Sequence, residues 1–253
     1  MNIILAIPFL YFYSSRIKKG GSIFFNLLFE WIPWLILILG FSKYDSLESI
    51  RFLFLSYIAF ISLYEIGYIA NDYFSINFEE HGRDRAPISF NKKNIIFWVL
   101  FRFIIFFLIS NYLPFGGIYG WNIIYIILLL FFTLHNLIKD LQLKSITFFW
   151  LALLKYIIPV VFIVREESIY PLLLIATVIY VPFRFLSYLE SKNLLLMNKR
   201  KTANFRTFYF SAPIVLSVFL IIIPNSSLYF SLSIYYALII LVYFLKSKLN
   251  LRN

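Results

Sequence analysis

Cysteine is absent from the 253 residues, histidine occurs twice, and only 14% of the chain is charged. Without cysteine there is no disulfide framework, no thiolate nucleophile and no Cys-ligated metal site. Two histidines, His81 and His135, are too few for a His-rich metal site. Ser-His-Asp, HExxH and Gly-rich phosphate-loop patterns are missing, and "GYIAN" and "FGGIYG" do not make a dinucleotide fingerprint. The low charge excludes an ordinary soluble domain, in which about a quarter of the residues are charged.

What is there is apolar: 62% hydrophobic residues, 22% of the chain aromatic. Apolar runs of about 17–25 residues recur from end to end, each long enough to cross the hydrocarbon core as a helix. They have no alternating polar face, which argues against a membrane barrel. The sequence therefore predicts an all-α polytopic membrane protein with spans at 22–42, 49–71, 94–114, 118–136, 146–164, 168–188, 207–223 and 227–246. The stretch 1–14 is short for a span and reads as tilted, interfacial or re-entrant. Its positive charges follow the apolar stretch, the wrong order for a cleaved signal peptide, so it is expected to be retained. No repeat or long linker divides the chain, which reads as one membrane domain over 1–253.

Of the 23 Lys and Arg residues, 18 fall at one set of span ends: 15–21, 72–93, 137–145, 184–206 and the C-terminal end. The opposite ends hold Lys43, Arg51 and Arg165. The positive-inside rule puts the first set and the C-terminus in the cytoplasm, in a bacterial-type inner membrane. Topology and anionic headgroups explain the net charge of +11 without nucleic acid.

Four charges lie inside expected spans: Glu30, Glu65, Arg102 and Lys155. Each costs about 2.5–3.5 kcal/mol at a helix centre, so each needs a partner or an aqueous cavity. Pairing or snorkelling is one reading for Glu30 and Arg102; a polar cavity is expected around Glu65 and Lys155.

Glu65, Tyr68, Asp72, Ser75 and Glu79 follow one another at steps of three and four, one face of a helix that continues past Asn71. On such a helix Asp72 and Glu79 stand about 10 Å apart along the axis. A diphosphate with Mg²⁺ fits between them, because Mg²⁺ binds through one or two carboxylates plus phosphate oxygens. The competing reading is a solvated loop with scattered charges.

The stretch "NDYFSINFEEHGRDRAP" resembles the first acidic motif, N-D-x-x-D-x-x-x-D, of the UbiA-type superfamily of intramembrane prenyltransferases. Asn71 and Asp72 match, Glu79 stands at the last Asp, Ser75 replaces the middle one, and Arg85 with Pro87 stands near the family's R-P ending. Lys139 and Lys144, in "FTLHNLIKDLQLK", are similar to a phosphate-binding lysine after the fourth family helix. The resemblance implies a bundle of eight or nine helices and a site formed by the loops 72–93, 137–145 and 184–206. The second family motif, D-x-x-x-D, is not kept. Its place holds Glu190 among Arg184, Lys192, Lys199, Arg200 and Lys201.

One acidic and one basic wall suits a Mg-bound diphosphate facing a second anion. The leading expectation is Mg-dependent transfer of a phosphoribosyl-type group from a diphosphate donor to polyprenyl phosphate. Asp72 and Glu79 would hold the metal with Asn71 beside them, and Arg184, Lys139 and Lys192 the other anion. Glu65, Tyr68, Arg85, Lys144 and Lys155 complete the candidate site. The alternatives are a prenyltransferase with an aromatic or other small acceptor, and a transporter or flippase whose charges line a path.

Overall fold

The computed structural model describes residues 3–18, 23–74, 91–197, 202, 204–211 and 227–250. Six helices are long and apolar enough to cross a membrane: α1 (Ile23–Phe41), α2 (Ser46–Tyr73), α3 (Lys92–Tyr112), α4 (Tyr119–Leu137), α5 (Leu141–Val161) and α6 (Glu166–Ser191). A short helix at 204–211 and α7 (Ser227–Asn250) follow. No strand is present among the described residues, apart from one bridge between Ser42 and Val164. The protein is an all-α membrane protein with six such helices among its described residues. Most of the expected span 207–223 lies outside those residues.

The helix starts follow side-chain caps. Asp45 accepts from Glu48 N–H at 2.9 Å, Asn91 from Lys93 N–H at 3.0 Å and Asp140 from Leu143 N–H at 2.9 Å. The Asp140 cap explains why α5 begins earlier than its apolar run suggests. Two long helices contain a π turn, Leu27–Trp31 in α1 and Ala176–Tyr180 in α6. Pro33 and Pro182 each follow two residues after such a turn. Proline has no N–H and crowds the carbonyl four residues back, and the helix accommodates this by widening for one turn.

The loops after α1 and α5 lie side by side. Lys43 N–H donates to Ile163 O at 3.1 Å and Arg165 N–H to Phe41 O at 2.9 Å. Helices α2 and α6 therefore start at one end of the bundle, and α2 finishes at the opposite end, where α5 begins. We call this second end the Asp72 end. Helices α2 and α5 are the inner ones, 67% and 72% buried, whereas α3 and α4 are 22% buried and turn most of their apolar surface outward. Outward Leu, Ile and Phe side chains are what a lipid solvent permits.

The N-terminal arm is broken. A 3-10 turn (Ile3–Ala6), an α turn (Leu10–Phe12) and a π turn (Tyr13–Ile17) are separated at Pro8 and Phe9, whose φ is 78°. Neither a straight span nor a surface helix describes it.

Candidate functional site

A broken helix leaves backbone groups unpaired, and in hydrocarbon these must find partners within the protein. Glu65 and Arg102 supply them. Phe12 N–H donates to Glu65 Oε1, and Arg102 Nη2 donates to Leu5 O at 2.8 Å. The two side chains also meet each other, Arg102 Nη2 to Glu65 Oε2 at 2.7 Å and Nε at 3.1 Å. Both are fully buried. The expected polar cavity around Glu65 is thus replaced by a closed pair, because the broken arm needs one acceptor and one donor at that depth.

Farther along the arm, Arg16 reaches the end of α2. Its Nη1 and Nη2 donate to the two oxygens of Asp72, both at 2.8 Å, and Tyr11 donates its hydroxyl to Oδ2 at 2.9 Å. The guanidinium also lies over the Tyr68 ring, 4.3 Å from its centroid. Burial opposes the Arg16 charge, but the hydrogen bonds and charge of Asp72 outweigh it and hold its pKa above the ordinary value.

A third pair lies between α1, α5 and α6. Lys155 Nζ donates to Glu30 Oε1 at 2.7 Å and to Asn26 Oδ1 at 3.3 Å, and Tyr180 donates to Glu30 Oε1 at 2.6 Å. Glu30 and Tyr180 sit in the two π turns that precede Pro33 and Pro182. The cavity expected at Lys155 is therefore also a closed pair, with Lys155 4% exposed.

Tyr180, Arg184 and Tyr188 recur every fourth residue on one face of α6. Tyr180 faces Glu30, and Tyr188 stacks on Phe148 of α5 at 4.1 Å and lies 6.2 Å from the His135 ring. His135 Nδ1 is 2.8 Å from Thr147 Oγ1, whose hydroxyl donates to Lys144 O at 2.8 Å. With that proton used on the carbonyl, the histidine must donate through Nδ1–H. Between these two tyrosines, Arg184 makes no ion pair or hydrogen bond among the described residues, and its Nε is buried without an acceptor. Its guanidinium lies over Phe25, 5.2 Å from the ring centroid, within electrostatic reach of Tyr180, Glu30, Tyr68 and Tyr64.

The structure thus brings Tyr68, Asn71 and Asp72 together at the end of α2, with Arg184 of α6 within electrostatic reach of Tyr68. Lys144 is buried in α5, its carbonyl bound by Thr147, whereas Lys139 is exposed and Lys192 half-buried just past the end of α6. Helix α2 stops at Tyr73, so the proposed continuation through Ser75 to Glu79 lies outside the described residues, as does Arg85. Sequence reasoning missed Tyr11, Arg16, Tyr180 and His135. Arg16 carried one signal, being the first charge after an arm too short to span.

The Mg²⁺ implied by the resemblance requires a carboxylate with free oxygens. Asp72 already accepts four hydrogen bonds, two of them from a fixed cation and one, at 3.4 Å, from Asn71 Nδ2. Like charges about 4 Å apart repel by about 4 kcal/mol per unit charge product at an effective dielectric of 20. In this arrangement Asp72 does not fit a metal ligand, and among the described residues no three His, Asp or Glu side chains are grouped to hold one. No family model, curated protein or solved structure matches the chain.

Proposed function

We propose that the chain is an integral-membrane transferase acting on a polyprenyl lipid, passing a phosphoribosyl-type group from a diphosphate donor to a polyprenyl phosphate. The observation that supports this reading is Arg184, a cation over the Phe25 ring with no hydrogen-bond or ion-pair partner among the described residues, within electrostatic reach of Tyr64, Tyr68 and Tyr180. Arg184 is half-buried, and a guanidinium whose buried Nε has no acceptor is costly unless an anion or water meets it. Aromatic walls suit the isoprenoid tail that such a headgroup carries. The excess of Lys and Arg at this end supports a cytoplasmic orientation, where a soluble phosphorylated donor is available.

In the transfer, an oxygen of the lipid phosphate attacks the anomeric carbon of the donor. The bond from that carbon to the diphosphate oxygen breaks, and diphosphate leaves with the electron pair. Arg184 holds phosphate charge through this exchange, with Lys192 and Lys139 at the same end of the bundle. Walls of Phe and Tyr exclude water, which would otherwise compete as acceptor.

The test is turnover by purified protein of labelled phosphoribosyl diphosphate with polyprenyl phosphate, run beside prenyl diphosphate with an aromatic acceptor. Transfer to the lipid phosphate is expected. Arg184→Gln should raise its KM about ten- to a hundredfold, the loss of one charge-assisted contact. Turnover confined to the prenyl diphosphate arm would replace this reading with prenyl transfer. No turnover in either arm would reject both.

A further inference from the structure

The closed state of Asp72 points to a role for it other than metal binding. Inside the bundle, Glu65 pairs with Arg102, Glu30 with Lys155 and Asp72 with Arg16. Arg184 adds positive charge that no carboxylate among the described residues meets at ion-pair distance. A buried donor without an acceptor, such as Arg184 Nε, calls for a ligand or a water. Arg16 contributes as well. A guanidinium carries five N–H groups, and Asp72 engages only one on each terminal nitrogen. The rest remain on a side chain that is 12% exposed. Arg16 covers the Tyr68 ring at 4.3 Å, one turn before Asp72 at the end of α2, and Arg184 lies one turn beyond Tyr180 toward the same end of the bundle, within electrostatic reach of Tyr68.

We infer that Arg16 and Arg184, near Tyr68 at the same end of the bundle, form a metal-independent binding site for a phosphate-ester or diphosphate anion, in which Asp72 is the counter-ion that orients Arg16. Asp72 neutralises one guanidinium, so the site keeps about one net positive charge, and planar forks match phosphate oxygens. Tyr11 fixes the carboxylate from behind, and the Glu65–Arg102 pair holds the arm that carries both Tyr11 and Arg16. Asp72 is a positioning residue in this arrangement. The inference deepens the transferase reading at the same site but requires only binding.

The experiment uses full-length protein in nanodiscs of zwitterionic lipid, with EDTA present, titrated calorimetrically with inorganic pyrophosphate. Binding is expected without divalent metal. Arg184→Gln and Arg16→Gln should each weaken it about ten- to a hundredfold. Asp72→Asn should weaken it less, and the Arg16→Gln/Asp72→Asn double variant should bind no more weakly than Arg16→Gln alone. Arg184→Lys, which keeps the charge without the fork, should bind several-fold more weakly and covers the case in which the glutamine variant fails to fold. Polyprenyl phosphate incorporated in the discs then identifies the source of the anion. Competition with pyrophosphate assigns the site to a lipid headgroup; its absence assigns it to the soluble phosphate. Pyrophosphate binding that strictly requires Mg²⁺, is lost in Asp72→Asn and is unchanged in Arg16→Gln would overturn the inference. Binding in EDTA without turnover in any substrate pair would leave the site standing and remove the transferase reading.

Discussion

Arg16 and Asp72, 56 residues apart, meet end to end through two hydrogen bonds of 2.8 Å. The guanidinium comes from a broken arm and the carboxylate from the last turn of α2. Their contact therefore measures whether the arm is seated.

A double-mutant cycle tests this link. Arg16→Gln and Asp72→Asn should each destabilise the protein, and the double variant should cost less than the sum. The coupling energy is expected at about 1–3 kcal/mol, the range for residues in one hydrogen-bonded network. Unfolding in a graded denaturing detergent measures it. Additive effects would mean that the two side chains do not depend on each other in the membrane.

The bundle also predicts which ends share a side. Because the chain has no cysteine, single cysteines can be introduced without removing any. Lys139→Cys and Asn193→Cys should react with an impermeant maleimide only after the membrane is opened, and Glu166→Cys in intact cells. Labelling of Lys139→Cys and Glu166→Cys from one side would contradict the helix order; labelling of all three from the reverse sides would invert the orientation only.

Much of this was legible in the sequence, and the rest was not for identifiable reasons. The helices could be read because apolar runs of membrane length have few alternatives. The intramembrane charges could be recognised as needing partners, since an unpaired charge in lipid is costly. Which partners they take could not be read. Glu65 finds Arg102 on α3, and Glu30 finds Lys155 on α5. Those choices depend on helix packing and, for Glu65, on two backbone groups of the arm. In the sequence Arg16 reads as one of the charges that set topology, and only the folded-back arm turns it toward Asp72. These two π turns do carry a sequence signal, a proline soon after Glu30 and another soon after Tyr180.

Gly67 packs α2 directly against α4. A Cβ at this position would meet the Phe132 ring, and Asn136 Nδ2 donates to Gly67 O at 3.3 Å across the same contact. Gly67→Ala should destabilise by about 1–3 kcal/mol, the usual cost of overpacking. Combining it with Phe132→Leu should recover part of the loss, because the smaller side chain gives room. Thermal unfolding of the three variants checks this. No recovery in the pair would show that the strain falls on the backbone of α2 rather than on the ring.

The Glu65–Arg102 pair makes the most discriminating stability prediction, because it holds more than itself. Replacing a buried ion pair with apolar residues of similar volume is often neutral or stabilising, whereas removing one partner costs about 3–5 kcal/mol. Arg102→Met alone should fall in that range, since it leaves the Glu65 carboxylate fully buried with no opposite charge beside it. The double variant Glu65→Met/Arg102→Met should regain part of the loss but not all of it. Phe12 N–H and Leu5 O would still be without partners, and an orphaned buried backbone group costs about 1–3 kcal/mol. The arm should then loosen locally before the bundle melts. A cysteine at Phe9, the residue at the break, reports this through its labelling rate. That rate should rise in the double variant while α2 to α6 unfold near the wild-type midpoint. A double variant as stable as wild type, with the arm still protected, would show that these two charges hold only each other.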